Sequence, residues 1–151
     1  MNTSEKLHEL GIELPQVAAP VAAYVPAVKV GNQVWTSGQL PFVDGQLPVT
    51  GQVGAEVDEE TAAKMARLAA LNALAAIDAV AGIDQVAHVV KVVGFVSSAP
   101  DFGGQPAVIN GASNLIGEIF GEDGHHARSA VGVAELPLDS PVEVEIIVEL
   151  S

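Results

Sequence analysis

The chain has 151 residues, 49% of them hydrophobic, and a formal net charge of -13. Its length and hydrophobicity predict one domain with its own core and exclude a disordered chain. No apolar run reaches the roughly 18 residues of a membrane span, and the absence of cysteine excludes disulfides and thiolate sites. The acidic excess opposes nucleic-acid binding, which depends on Lys and Arg clusters. The charged N-terminus does not resemble a signal peptide, so we expect a cytoplasmic location.

The N-terminal part of the chain predicts a short helix and a hairpin. Residues 1–10 have an amphipathic pattern that begins near Ser4, and a proline-punctuated extended stretch follows them. Two short β runs between Val28 and Thr36 flank Gly31-Asn32, a residue pair that tolerates positive φ. This arrangement predicts a β-hairpin.

The middle of the chain predicts a loop, a long helix and a buried strand. Residues 41–57 carry five glycines and prolines, which favours a long surface loop. Residues 59–81 carry an apolar side chain every three positions and end before Gly82, as in a helix that packs one broad face on a sheet. Residues 86–96 are apolar at both strand parities, which predicts a central strand buried on both faces.

The last third predicts a helix over 105–120 and two strands, over about 128–136 and 142–150. The predicted order is therefore β-β-α-β-α-β-β. It implies an α+β fold, an α/β sandwich in which a mixed β-sheet carries two helices on one face. The other face needs a cover, and a second copy of the chain is the simplest one, so we expect an oligomer.

Arg128 and Glu143 are the first candidate site residues. Arg128 is one of only two arginines, and a guanidinium can grip a carboxylate through two parallel hydrogen bonds. If the last two strands pair as a hairpin, Arg128 lies level with residues near Leu150, so it does not meet Glu143 in one chain. The residues alone leave two structural alternatives open. Arg128 can form a surface ion pair, and Glu143 can lie on a solvated face of its strand.

The sequence holds two further candidate groups. Ser37-Gly38 follows a predicted strand and can present a hydroxyl and a free amide to a ligand, with a plain turn as the alternative. His125-His126 resembles half a metal site, but neighbours on an extended segment point in opposite directions and no carboxylate companion follows. We therefore predict no metal, and the absence of a glycine-rich phosphate loop opposes nucleotide binding.

A set of short segments stands in the order found in one known family. They are Tyr24-Val25, residues 34–41, Phe95-Val96, Asp101-Phe102, Asn110, residues 127–129, residues 133–137 and residues 142–145. Together they resemble the RidA (YjgF/YER057c/UK114) family from about residue 20 to the C-terminus. The segment HARSAVGVAELP is most similar to a longer-chain subgroup that has no assigned reaction.

The resemblance implies one chorismate-mutase-like domain over 1–151, with 1–20 as an N-terminal extension, and a homotrimer with clefts between subunits. It implies that Arg128 binds the carboxylate of a 2-imino acid and that Glu143 holds the attacking water. The implied activity is a 2-iminobutanoate/2-iminopropanoate deaminase without metal or cofactor. Family positions that line the cleft match Tyr24, from the adjacent subunit, Ser37, Gly38, Asn110 and Ala130.

The chain also departs from the family pattern. Ala22-Ala23 replaces a Gly-Pro pair before the tyrosine, and Ala130 stands where cysteine is frequent. Because of these changes, the resemblance does not determine the identity of the substrate. A trimer that binds a keto or imino acid without turnover is the alternative reading, and the net charge opposes a ribonuclease.

Overall fold

The computed structural model describes residues 1–17 and 23–151. Residues 18–22 lie outside the described residues. They include most of the second half of the predicted extended stretch and Ala22 of the Ala22-Ala23 pair. The helices are α1 (Thr3–Glu9), α2 (Glu59–Ala81) and α3 (Gln105–Phe120), and the strands are β1 (Ala27–Val30), β2 (Gln33–Thr36), β3 (Val86–Ser97), β4 (Ala127–Val133) and β5 (Val142–Leu150). The predicted helices and strands are thus confirmed in type and order, although β4 ends at Val133 and not near residue 136. None of the helices in these residues is long and apolar enough to cross a membrane.

Local capping explains where the helices begin and end. The side chain of Asn2 accepts a hydrogen bond from the Glu5 amide, and the Glu5 carboxylate accepts one from the Asn2 amide, so α1 begins at Thr3, next to the predicted start near Ser4. Ser4 instead donates two 2.7 Å hydrogen bonds to Asp84, which fix α1 to the turn after α2. Helix α2 begins at the Asp58 cap, and Gly82 ends it with a φ of 83°.

The five strands form one mixed sheet in the order β1-β2-β5-β3-β4. Strands β3 and β4 are parallel, and the other neighbours are antiparallel. The mixed α+β sheet is confirmed, but a hairpin of the last two strands is wrong because β3 lies between β4 and β5. Strand β3 is long and apolar enough to pair with β4 along one edge and with β5 along the other. The connection from β4 to β5 crosses the end of β3, where the Ser97 amide donates to the Pro141 carbonyl at 2.9 Å.

The core lies between the sheet and helices α2 and α3. Alternate residues of β5 point into it: Val142, Val144, Ile146 and Val148. Strand β3 is fully buried only on this helix-facing side, since Val93 and Phe95 on the other face are half-buried. The prediction of burial on both faces is therefore wrong for one chain. Gly94 is required on the helix-facing side, because a Cβ there would collide with Ile109 of α3.

Residues 41–57 are only partly the surface loop that their glycines and prolines favour. Val53 and Val57 are buried. The Val53 amide donates to the Ser97 carbonyl at 2.7 Å, and the Val53 carbonyl accepts from the Ala99 amide at 3.0 Å. The middle of this segment therefore packs against the end of β3 and belongs to the core.

Candidate functional site

Arg128 and Glu143 lie on opposite faces of the sheet. Val92 of β3 pairs with Arg128 on one side and Ile146 on the other, and the buried Val92 and Ile146 show that this row faces the helices. Phe95, three residues further along β3, pairs with Glu143, so that row faces away from the helices. The two side chains do not meet within one chain, and the cause is this division of faces rather than a hairpin register.

Helix α3 holds the guanidinium of Arg128. Its Nη1 donates to Oδ1 of Asn110 at 2.8 Å and to Oγ of Ser113 at 3.2 Å, and its Nη2 donates to the Pro106 carbonyl at 3.4 Å. All three acceptors are neutral. Among the residues that the structure describes, the salt bridge found is that of Arg67 with Glu118, and Arg128 pairs with no carboxylate. The positive charge therefore stays available to a ligand.

The same group contains Ser113, which the sequence did not single out, and His126, which the sequence analysis considered together with His125. Oγ of Ser113 lies 2.9 Å from Nε2 of His126, whose Nδ1 lies 2.6 Å from the Gly124 carbonyl. We call Arg128, Asn110, Ser113 and His126 the arginine cluster. The available signal was the spacing of Asn110 and Ser113, because residues three apart share one helix face.

Ala130 lies two residues beyond Arg128 on the same helix-facing side of β4. It pairs with Gly94 and packs its methyl group against the core. Asn110, Ala130 and Arg128 thus lie on the same side of the sheet. Asn110 and Ala130 are two of the residues that match family positions lining the cleft.

Glu143 packs over Gly38 on the other face. A Cβ at Gly38 would lie 2.6 Å from Cδ of Glu143, so any larger residue would displace this carboxyl group. Oγ of Ser37 donates to the Val25 carbonyl at 2.5 Å, and the Ser37 amide donates to the Pro26 carbonyl at 2.7 Å. The Ser37 hydroxyl therefore positions the segment that carries the exposed Tyr24.

The surroundings of Glu143 change its acidity. Burial raises the pKa of its carboxyl above the usual value, and the nearby charge of Glu145, two residues along the same face, raises it further. A carboxylate with a raised pKa is a stronger base near neutral pH and accepts a proton from water more readily. This property suits Glu143 for general-base chemistry.

The sheet face that carries Glu143 also exposes several large apolar side chains in one chain, between its charged residues. Trp35 is 49% exposed, and its neighbours across the strands are Val28, which is 47% exposed, and Ile147. Val131 of β4 lies on this face too and is 44% exposed. Large apolar side chains that are exposed on one sheet face favour a protein contact there.

The arrangement divides the candidate residues into two half-sites. One half carries a cation held by neutral groups, and the other carries a half-buried carboxylate. Within residues 1–17 and 23–151, no three His, Asp or Glu side chains stand close enough together to hold a metal ion. The chemistry that these two halves can perform is the binding of an anion and the activation of a water molecule.

Comparison with known proteins gives a family match over almost the whole chain. A family model described as YjgF/chorismate mutase-like, with a provisional endoribonuclease name, matches residues 4–150. Protein TCP17 of Trypanosoma cruzi is 47% identical over 96% of this chain and 92% of that protein. The 2-iminobutanoate/2-iminopropanoate deaminase of Dermatophagoides farinae is 36% identical over 91% of this chain and 93% of that protein.

A solved structure with a bound small molecule is also similar. The crystal structure of Escherichia coli TdcF with bound serine has 28% sequence identity and a TM-score of 0.69. The match covers 90% of this chain and 94% of that chain. The bound serine is an amino acid, so that relative accommodates a ligand with a carboxylate group.

Proposed function

This chain belongs to the YjgF/RidA family, and we propose that it hydrolyses 2-imino acids of the 2-iminobutanoate and 2-iminopropanoate type to a keto acid and ammonia. The observation that carries the proposal is the Arg128 guanidinium, which α3 orients through neutral groups and which has no carboxylate partner among the described residues. The deaminase name of the mite relative and the serine bound to TdcF support the same substrate class.

The proposed site lies between two copies of the chain. Arg128 with Asn110 and Ala130 comes from one copy, and Glu143 with Ser37 and Gly38 comes from the next. Two observations support this: the half-sites occupy opposite faces of one sheet, and the face that carries Glu143 exposes the large apolar side chains of Val28, Trp35 and Val131. A closed ring of three copies repeats the same contact three times, which gives a homotrimer with three equivalent clefts. Tyr24 lines the cleft from the adjacent subunit.

The proposed mechanism begins with the substrate carboxylate. The Arg128 guanidinium binds it through two charge-assisted hydrogen bonds and thereby orients the C=N carbon. Glu143 accepts a proton from a water molecule while the water oxygen bonds to that carbon and the C=N electron pair moves onto nitrogen, which takes up a proton from solvent. Glu143 then returns its proton to the nitrogen of the tetrahedral species as the carbon–nitrogen bond breaks, while the new hydroxyl loses its proton to solvent and its oxygen becomes the keto oxygen. The products are a 2-keto acid and ammonia.

The ribonuclease activity in the family description does not form part of the proposal. The chain has six Lys and Arg residues against 19 Asp and Glu residues. RNA binding requires phosphate neutralisation by several basic groups, so the excess of acidic residues repels an RNA backbone. A small monoanion needs one arginine only.

The pH dependence of turnover follows from the raised pKa of Glu143. Glu143 must be ionised to act as a base, so we expect kcat to fall on acidification at a pH above the ordinary titration range of glutamate. Glu145→Gln removes the neighbouring charge and lowers the pKa of Glu143. We therefore expect the acidic limb of the pH profile of kcat, the range over which kcat falls on acidification, to shift to lower pH. The measurement is ammonia release from 2-iminopropionate, which an amino-acid oxidase generates from alanine in the assay.

A matched control separates this effect from a change in total charge. Glu149→Gln removes an exposed carboxylate from the same strand and the same face, six residues from Glu143. We expect its acidic limb to coincide with that of the wild type. An unchanged limb in Glu145→Gln would show that another group controls the proton transfer.

A further inference from the structure

A chain of hydrogen bonds with a defined direction ends on Arg128. The Gly124 carbonyl can only accept, so the His126 Nδ1 that lies 2.6 Å away carries a proton. In a neutral ring Nε2 is then an acceptor, and the Ser113 hydroxyl, at 2.9 Å, donates to it. This fixes the Ser113 hydrogen, so the Oγ lone pairs are free to accept from Nη1 of Arg128 at 3.2 Å.

The starting point of this chain is rigid. Gly124 is buried, and a Cβ on it would lie 2.8 Å from the Ile116 carbonyl oxygen of α3. The close approach to α3 sets the position of the Gly124 carbonyl, which in turn sets the orientation of the His126 ring.

The same contacts determine which edge of the guanidinium is free. Nη1 has two hydrogens, and Asn110 and Ser113 accept one each. Nη2 donates one of its two hydrogens to the Pro106 carbonyl at 3.4 Å, so a carboxylate that binds through two parallel hydrogen bonds must use Nε and the remaining hydrogen of Nη2. The cluster therefore selects one approach of the substrate to Arg128.

We propose that Ser113 and His126 are positioning residues, which hold Arg128 so that its Nε–Nη2 edge faces the substrate carboxylate. The proposal rests on the proposed function for its effect on turnover, but the restraint on Arg128 exists without substrate. Fixing the guanidinium in advance removes side-chain entropy that carboxylate binding would otherwise cost. This arrangement requires a His126 ring whose Nδ1 donates to the Gly124 carbonyl and whose Nε2 accepts from Ser113.

The test compares four variants by pyruvate binding, measured by calorimetry, and by turnover of 2-iminopropionate. Ser113→Ala removes the acceptor for Nη1, and we expect it to weaken pyruvate binding and raise KM about five- to tenfold, with kcat nearly unchanged. Ser113→Thr keeps the hydroxyl and restores both values. His126→Ala weakens binding to a similar degree, and the double variant Ser113→Ala/His126→Ala is no worse than Ser113→Ala alone, because both residues act through one chain of hydrogen bonds.

His125→Gln is the matched control. It changes the exposed neighbouring histidine, whose side chain makes no hydrogen bond to the arginine cluster among the described residues, and we expect wild-type binding and turnover. Wild-type values in Ser113→Ala or His126→Ala, or equal losses in His125→Gln, would overturn the proposal.

A readout without ligand separates this proposal from the proposed function. Nitrogen-15 NMR should show His126 with its proton on Nδ1 and slow rotation of the Arg128 guanidinium about the Nε–Cζ bond, with faster rotation in Ser113→Ala. Protonation on Nε2 of the neutral ring, or equal rotation rates in both proteins, would overturn the positioning role even if imines are hydrolysed. If imines are not hydrolysed but these NMR signatures are present, the proposed function fails while the restraint on Arg128 stands.

Discussion

Arg128→Lys is expected to lower kcat/KM for 2-iminopropionate by about a hundredfold, although it keeps the positive charge. Lysine cannot form the two parallel hydrogen bonds of a guanidinium, and loss of one charge-assisted bond with the associated orientation costs about 3 kcal/mol. Arg128→Ala loses the charge as well and is expected to lose pyruvate binding below detection. The measurements are the rate of ammonia release and calorimetry with pyruvate.

Arg67→Lys serves as the matched control for Arg128→Lys. Arg67 pairs with Glu118 at 3.4 Å across the outer surfaces of α2 and α3, away from the arginine cluster. We expect wild-type turnover in this variant. Full activity in Arg128→Lys would show that the substrate carboxylate needs a positive charge but no guanidinium geometry, and would remove the orientation step from the mechanism.

Glu143→Gln is expected to lower kcat by a factor of roughly 10² to 10⁴, with pyruvate binding retained. Glutamine keeps the size of the side chain but cannot accept a proton from water. Stability should move in the opposite direction to activity. Because the pKa of Glu143 is raised in the folded chain, its contribution to stability is present below its unfolded pKa and is lost as pH rises through the folded pKa. The neutral glutamine should therefore increase the melting temperature at neutral pH.

The control for Glu143→Gln is again Glu149→Gln, which is expected to keep wild-type kcat and melting temperature. If the wild type binds pyruvate in an Arg128-dependent way yet accelerates hydrolysis of no imino acid, the alternative of a binding trimer without turnover replaces the enzyme. If Glu143→Gln is as active as the wild type, another group must activate the water.

Patterns confined to one element predicted most of the fold. The acids at the start of α2 and Gly82 at its end mark the helix because capping depends on neighbouring residues. The Gly31-Asn32 turn gives the hairpin of β1 and β2 for the same reason. Strand β5 was predictable because its alternation of apolar and charged residues is a property of the strand itself.

Features that depend on distant residues were not predictable in this way. Nothing within β4 or β5 states that β3 inserts between them, so the hairpin expected from their closeness in the chain was wrong. The burial of Val53 depends on the end of β3, more than 40 residues further along, whereas the surrounding glycines favour a loop. Neighbouring residues in the sequence determine local conformation. Which strands pair in the sheet depends instead on competition among all the strands of the chain.

In the candidate site, too, some features follow from the sequence and others depend on contacts between distant residues. The resemblance to the family selected Arg128, Asn110 and Glu143, and the structure supplied the face of the sheet on which each one lies. Ser113 was missed because a single serine within an amphipathic helix carries no signal by itself. Its role depends on β4 and His126 lying against α3, which is a tertiary contact.

The most direct test of the shared site between copies combines two inactive variants. Arg128→Ala and Glu143→Gln chains with different affinity tags are co-expressed, mixed trimers are purified, and light scattering verifies a mass of about 46 kDa, three times 15.4 kDa. Since each cleft would draw Arg128 from one copy and Glu143 from the next, every mixed trimer should contain one intact cleft out of three and restore about a third of wild-type turnover. Mixed trimers no more active than either variant alone would contradict a cleft built from two copies.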